Sequence, residues 1–243
     1  MLKRLLQDPA FTLTTIRGVV IRVHASFLFL PFWAIAAGIN DGRVGSGSTF
    51  MVALVMLLYV CALMHEVGHI AVARRFGARV SRIRVSGLGA FVQVITPAGM
   101  APKQDFLVAI GGPAASALLS LVLLIAARPF LNDQVIPVLA QREWPALLVS
   151  LAGANVLLTA FNLLPVFPMD GGQALNALLA RYLRQPQATR VVSVFGMVVA
   201  GALVVAVPLL STVFVIRLTT LATAGLVLLI SFRAQRAALR QLA

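Results

Sequence analysis

Cysteine is almost missing from this sequence: its 243 residues include one, Cys61. A lone thiol excludes an intrachain disulfide framework. Charge is scarce as well, at 11% of residues, and only seven residues are acidic. Soluble domains carry about 25% charged and about 45–50% apolar residues. This chain is 60% hydrophobic with a mean hydropathy of +0.97, more apolar surface than a soluble fold of this length can hide. Internal repeats, low-complexity tails and a second soluble domain are not evident, so one membrane-embedded domain over residues 1–243 is expected. Lys3 and Arg4 look like the start of a signal peptide. Gln7-Asp8-Pro9 interrupts before any apolar core, so cleavage is not expected.

What is present in quantity is long apolar sequence. A membrane span needs roughly 20 mostly apolar residues. Six stretches approach this, at about Ala25–Ile39, Phe50–Ala73, Phe106–Ala127, Leu147–Leu164, Val191–Leu210 and Thr212–Phe232. The first is short and contains Pro31, and Val19–Val23 is a candidate extension of it. Pro208 and Ser211 between the last two suggest a tight helical hairpin. The fold class is therefore an all-α polytopic membrane protein with about six transmembrane helices. The formal charge of +13 is distributed by topology. With six spans, only Arg43, Arg128 and Arg142 fall on the side away from the termini. Every other basic residue outside the spans falls on the terminal side, and Arg217 lies within the sixth span. That asymmetry places both termini in the cytoplasm. It accounts for the charge without nucleic acid, and makes the lipid bilayer the expected partner.

The second span contains Leu63-Met64-His65-Glu66-Val67-Gly68-His69. Two histidines four apart share one helix face and can hold one Zn²⁺ through ring nitrogens. Glu66, beside the first histidine, can reach a water near the metal without ligating it, the arrangement of a His-Glu-x-x-His metalloprotease helix. The chain has only three His, and chance assembly of this pattern has a probability on the order of 10⁻⁴. Ionisable groups in an apolar span are costly and mark function. The bland alternative is a hydrogen-bonded polar cluster joining helices.

Catalytic zinc usually takes a third protein ligand. His24, Cys61 and the carboxylates are the candidates. Of the carboxylates, Asp170 alone combines a span with an irregular backbone, at the end of Asn162-Leu163-Leu164-Pro165-Val166-Phe167-Pro168-Met169-Asp170-Gly171-Gly172. Pro165 and Pro168 cannot continue a hydrogen-bonded helix. Gly171 and Gly172 permit a sharp turn and close backbone approach. Irregular backbone at membrane depth must be buried or line a cavity, which would present Asp170 inward. The alternative is an ordinary helix start capped by Asp170.

The two motifs, in this order and roughly 100 residues apart, resemble the site-2 protease family of intramembrane zinc metalloproteases. Supporting similarity covers about residues 20–185, including Gly111-Gly112-Pro113. The resemblance implies that His65, His69 and Asp170 ligate one zinc ion, that Glu66 is the general base and that Asn162 helps hold the substrate. It implies a metalloendopeptidase acting on transmembrane protein or peptide substrates in regulated intramembrane proteolysis. The expected setting is a bacterial or archaeal cell membrane, and the expected form is minimal, without the PDZ or CBS modules of some relatives. In one departure, Ser116 stands where family members often carry Asn shortly after the Gly-Pro; a serine hydroxyl can still donate or accept a hydrogen bond.

After the zinc helix, Arg79–Val85 alternates, Ser86-Gly87-Leu88-Gly89 can turn and Ala90–Ile95 resumes. This reads as a small membrane-associated β-hairpin or sheet, and the family places a short sheet here. An exposed edge there can receive an unwound substrate as an added strand; the alternative is a basic loop. Asn155, seven residues before Asn162, either lines the same cavity or makes an interhelical hydrogen bond. Cys61 reads as a small buried hydrophobe, His24 as interfacial and Arg217 as snorkelling outward. A zinc transporter and a catalytically inert chaperone of membrane helices are the competing functions. Against the first stand the missing repeat symmetry and the adjacent general base; against the second, the full set of His65, Glu66, His69 and Asp170.

Overall fold

The computed structural model describes residues 10–16, 19–40, 46–86, 89–95, 100–131, 144–210 and 214–242. The chain divides into two compact units, residues 1–98 with 111–159 and residues 99–110 with 160–243.

The first unit opens with strands β1 (Ala10–Ile16) and β2 (Val19–His24), followed by a 3-10 turn over Ala25–Leu28 and helix α1 (Phe29–Asn40). Helix α2 (Ser46–Arg75) leads to strands β3 (Arg79–Ser86) and β4 (Gly89–Ile95). Helix α3 (Pro102–Ala127) from residue 111 and helix α4 (Trp144–Asn162) up to residue 159 follow, their remaining residues belonging to the second unit. The four strands form one sheet in the order β1-β2-β3-β4. β2 and β3 run parallel, while the two outer pairs are antiparallel. The expected hairpin after the second span is present as β3 and β4; residues 87 and 88 of its turn lie outside the described residues. β1 and β2 were not expected as strands. Val19–Val23, considered as an extension of the first span, is instead most of β2. Its β-branched residues suit a pleated strand, and β3 supplies its hydrogen-bonding partner.

Helix α2 ends in a way its sequence dictates. Gly77 has φ 81°, a conformation open to glycine at little steric cost. Its N–H donates to the Arg74 carbonyl, and Ala78 N–H donates to Ala73, the double closure of a Schellman cap. The chain can then turn directly into β3. Elsewhere α1 packs on α2 around Ala34, Val55 and Tyr59. The Tyr59 hydroxyl donates to the Phe27 carbonyl at 3.2 Å. Side chains of α3 and α4 meet through hydroxyls: Ser120 donates to Ala152 at 2.9 Å, and Thr159 approaches the Pro113 carbonyl at 3.4 Å.

The second unit is built on helix α5 (Asp170–Leu179), helix α6 (Gln185–Leu210) and helix α7 (Phe214–Leu242). Val166, Ala200, Ala224 and Val227 form its core, with Met169, Val199 and Leu228 against them. Small side chains let α6 and α7 approach closely, as is usual between helices in lipid; a Cβ on Gly196 would press on the Ser231 hydroxyl.

Among the described residues, four helices are long and apolar enough to cross a membrane: Thr49–Arg75, Pro102–Phe130, Trp144–Asn162 and Gln185–Val207. Leu118, Ile125, Leu157 and Val198 on these helices are each more than half exposed, as lipid contact permits and water does not. The first expected span, Ala25–Ile39, is taken up by the 3-10 turn and α1 together. Its helical part, α1, has 12 residues and rises only about 18 Å against the roughly 30 Å of a bilayer core.

One contact fixes α2 against α3. A Cβ on Gly68 would collide with the carbonyl oxygen of Gly111, and one on Gly111 would crowd Gly68 and Val72. Gly153 of α4 has nothing near its Cβ position. Gly68→Ala is therefore expected to destabilise the protein by about 1–3 kcal/mol through overpacking. Gly153→Ala should be neutral or stabilising by about 0.5–1 kcal/mol, as for any relieved helix glycine. Thermal unfolding in detergent distinguishes them; equal effects would remove the close-contact argument.

Candidate metal site

His65 and His69 sit one helical turn apart on α2, His65 buried and His69 half-buried. Their Nε2 atoms are 3.3 Å apart. The rings meet edge to face, with centroids 5.0 Å apart and planes at 77°. Glu66, between them in sequence, is half-buried.

The other wall of this pocket is the Gly111–Ser116 segment of α3. The Gly68–Gly111 contact brings the two backbones together, so that the Gly112 N–H lies 3.3 Å from Nδ1 of His69. A Cβ on Gly112 would run into Nε2 of both histidines, so glycine here keeps the space between the ring nitrogens open. One turn further on, the Ser116 hydroxyl lies 2.9 Å from Nδ1 of His65. Ser116 has no exposed surface. The Gly112 N–H donates to Nδ1 of His69, and the Ser116–His65 and His65–His69 pairs each stand at hydrogen-bond distance.

Asp170 is the first residue of α5 and is buried. The preceding N-cap is Met169, in extended conformation and without a side-chain cap bond, so the capping role considered for Asp170 is not the one it occupies. Gly172 and Gln173 N–H both donate to the Met169 carbonyl. The expected break of the fourth span occurs: α4 ends at Asn162, which is half-buried. Residues 163–169 are irregular, with a cis peptide between Phe167 and Pro168. Gly171 and Gly172 explain themselves sterically, since a Cβ on either would strike the backbone of Leu163–Phe167.

His65 and His69 on α2 and Asp170 at the start of α5 each offer a candidate ligand atom. The donor set fits zinc. Two nitrogens about 2.0–2.1 Å from a tetrahedral ion stand about 3.3–3.4 Å apart, which is the His65–His69 spacing. Cys61, one turn before His65, is buried and outside this group. His24 is also elsewhere: its Nδ1 meets the Ser26 hydroxyl at 2.7 Å and accepts from Ser26 N–H, capping the 3-10 turn. Asn155 is buried, donates to Leu151 of its own helix and keeps its Oδ1 without a partner. Two residues of this pocket, Gly112 and Ser116, did not stand out in the sequence as neighbours of the histidines. The Gly-Gly-Pro run was the available signal.

Residues 53–135 and 134–207 match the sequence profile of Peptidase family M50. A zinc metalloprotease of Methanocaldococcus jannaschii is 31% identical over 183 residues, covering 74% of this chain and 49% of that protein. Stage IV sporulation protein FB of Bacillus subtilis is 30% identical over 174 residues, covering 71% of this chain and 52% of that protein. The chain thus spans about half the length of these curated relatives. A solved structure, the site-2 protease from Methanocaldococcus jannaschii, superimposes with a TM-score of 0.64 at 24% identity. The match covers 93% of this chain and 95% of that one, a similarity of fold. With the profile spanning both the His65–His69 and the Asn162–Gly172 motifs, the chain belongs to peptidase family M50.

Proposed function

We propose that this protein is an integral-membrane zinc metalloendopeptidase that hydrolyses a peptide bond of transmembrane or membrane-associated protein substrates. The observation that carries this reading is the pair of imidazoles on an apolar helix, Nε2 atoms 3.3 Å apart, with Glu66 adjacent in the chain. Ionisable groups inside an apolar helix are costly and mark function.

In this reading His65, His69 and Asp170 hold the zinc, which supplies Lewis-acid polarisation of the scissile carbonyl and acidifies nearby water. Glu66 takes the proton from the attacking water as its oxygen bonds to the carbonyl carbon. When the carbon–nitrogen bond breaks, Glu66 returns that proton to the leaving amine. Gly112 preserves room for the reacting groups between the ring nitrogens. Asn162, at the end of α4, offers an amide that can both donate to and accept from an unwound substrate backbone. A substrate helix must unwind locally before this chemistry, because its peptide groups are otherwise closed in their own hydrogen bonds. The proposal extends to six spans with cytoplasmic termini, one catalytic domain in a prokaryotic cell membrane and a role in regulated intramembrane proteolysis. Support for these comes from the sequence: six apolar stretches, basic residues concentrated on one side, and the family's general chemistry.

Glu66→Gln removes the proton acceptor while keeping size and the metal ligands. Against a model transmembrane substrate in proteoliposomes, kcat should fall by about 10²–10⁴-fold with stoichiometric zinc retained. Cleavage at the wild-type rate would sink the assignment of Glu66. Gly112→Ala probes the space itself. Its methyl group should displace the ring nitrogens and abolish zinc binding, measured by metal analysis, while circular dichroism remains helical. Zinc retained at one equivalent in this variant would contradict the geometry of the pocket.

A further inference from the structure

We propose that Ser116 is a positioning residue for the metal ligand His65. Its hydroxyl accepts the Nδ1–H of His65 and thereby presents Nε2 as a lone pair toward the metal. The inference rests on the metal-site reading above and adds a role to a residue on the neighbouring helix.

Three observations carry it. The Ser116 Oγ to His65 Nδ1 distance is 2.9 Å, a full hydrogen bond. Both residues are buried, at 0% and 5% exposure, so water does not compete for either atom and the bond is strong. The other nitrogen, Nε2, is the one facing His69 at 3.3 Å. A neutral imidazole carries one proton, and which nitrogen holds it is set by the partner of the other. With Ser116 accepting on Nδ1, the proton stays there and Nε2 keeps its lone pair for the metal. Serines inside helices commonly bond their own helix's carbonyls; Ser116 instead meets a side-chain imidazole on another helix. Ser120, one turn along α3, provides the contrast. It is equally buried, and its hydroxyl donates to a backbone carbonyl, that of Ala152. Ser120 joins helices, whereas Ser116 orients a ligand.

Outer partners of metal-bound histidines typically change metal affinity by about 10–100-fold when removed. The test uses the full-length protein in detergent, with zinc affinity measured by competition with a chelator. Ser116→Ala should weaken zinc binding about 10–100-fold and alter the visible absorption of the cobalt-substituted protein. Ser120→Ala should lower the unfolding temperature and leave zinc affinity within about twofold. Ser116→Thr, which keeps the hydroxyl, should bind zinc more tightly than Ser116→Ala although its extra methyl packs worse. Zinc affinity in Ser116→Ala within twofold of wild type, or equal losses in Ser116→Ala and Ser120→Ala, would overturn the proposal. If instead the wild type binds no zinc that His65→Ala removes, the metal-site reading itself fails, and this inference with it.

Discussion

An imidazole inside an apolar helix must face something polar, and the approach of α3 to α2 is what answers that demand here. Unpaired polar groups in such surroundings cost several kcal/mol each. The two histidines are served by the Gly112 amide and the Ser116 hydroxyl, both on α3. Neither group can reach unless the helices nearly touch. Glycine at 68 and 111 is therefore not incidental, because any larger residue would hold the backbones apart. Pro113 belongs to the same logic. It removes one N–H from α3 within a turn of the site, and Thr159 of α4 approaches its carbonyl. Helix contact, open pocket and ligand orientation thus come from one short run, Gly111 to Ser116.

Much of this was readable before any coordinates, for identifiable reasons. His65, Glu66 and His69 are legible because they are rare residue types at helical spacing inside an apolar stretch. The β3–β4 pair is legible because Arg79–Val85 alternates locally. β1 and β2 were missed. Val19-Val20-Ile21 adjoins the apolar start of the first span, and what makes it a strand is parallel pairing with β3, about 60 residues away, which no local pattern encodes. Ser116 and Gly112 were named without their histidine contacts, for a related reason. Small residues are common throughout apolar helices, and only the interhelical register shows which one meets an imidazole.

The irregular segment before Asp170 follows from what a carboxylate needs if it is to face a cation from an apolar protein. Midway along a helix, Asp170 would have only closed peptide groups around it. At the first position of α5 it lies at the helix N-terminus, where the helix dipole favours its negative charge. Creating that helix start requires the preceding one to stop, which Pro165 and Pro168 enforce. The chain must then restart within a few residues, so the new helix folds back against its own lead-in. That is the contact in which Gly171 and Gly172 lie against the Leu163–Phe167 backbone. A side chain at either glycine would push the start of α5 away from that lead-in. The two prolines and two glycines are therefore a single device: they place one carboxylate at a helix N-terminus within an otherwise apolar run. On this argument Asp170 can be moved along the chain only together with the whole segment, and not by changing one residue at a time.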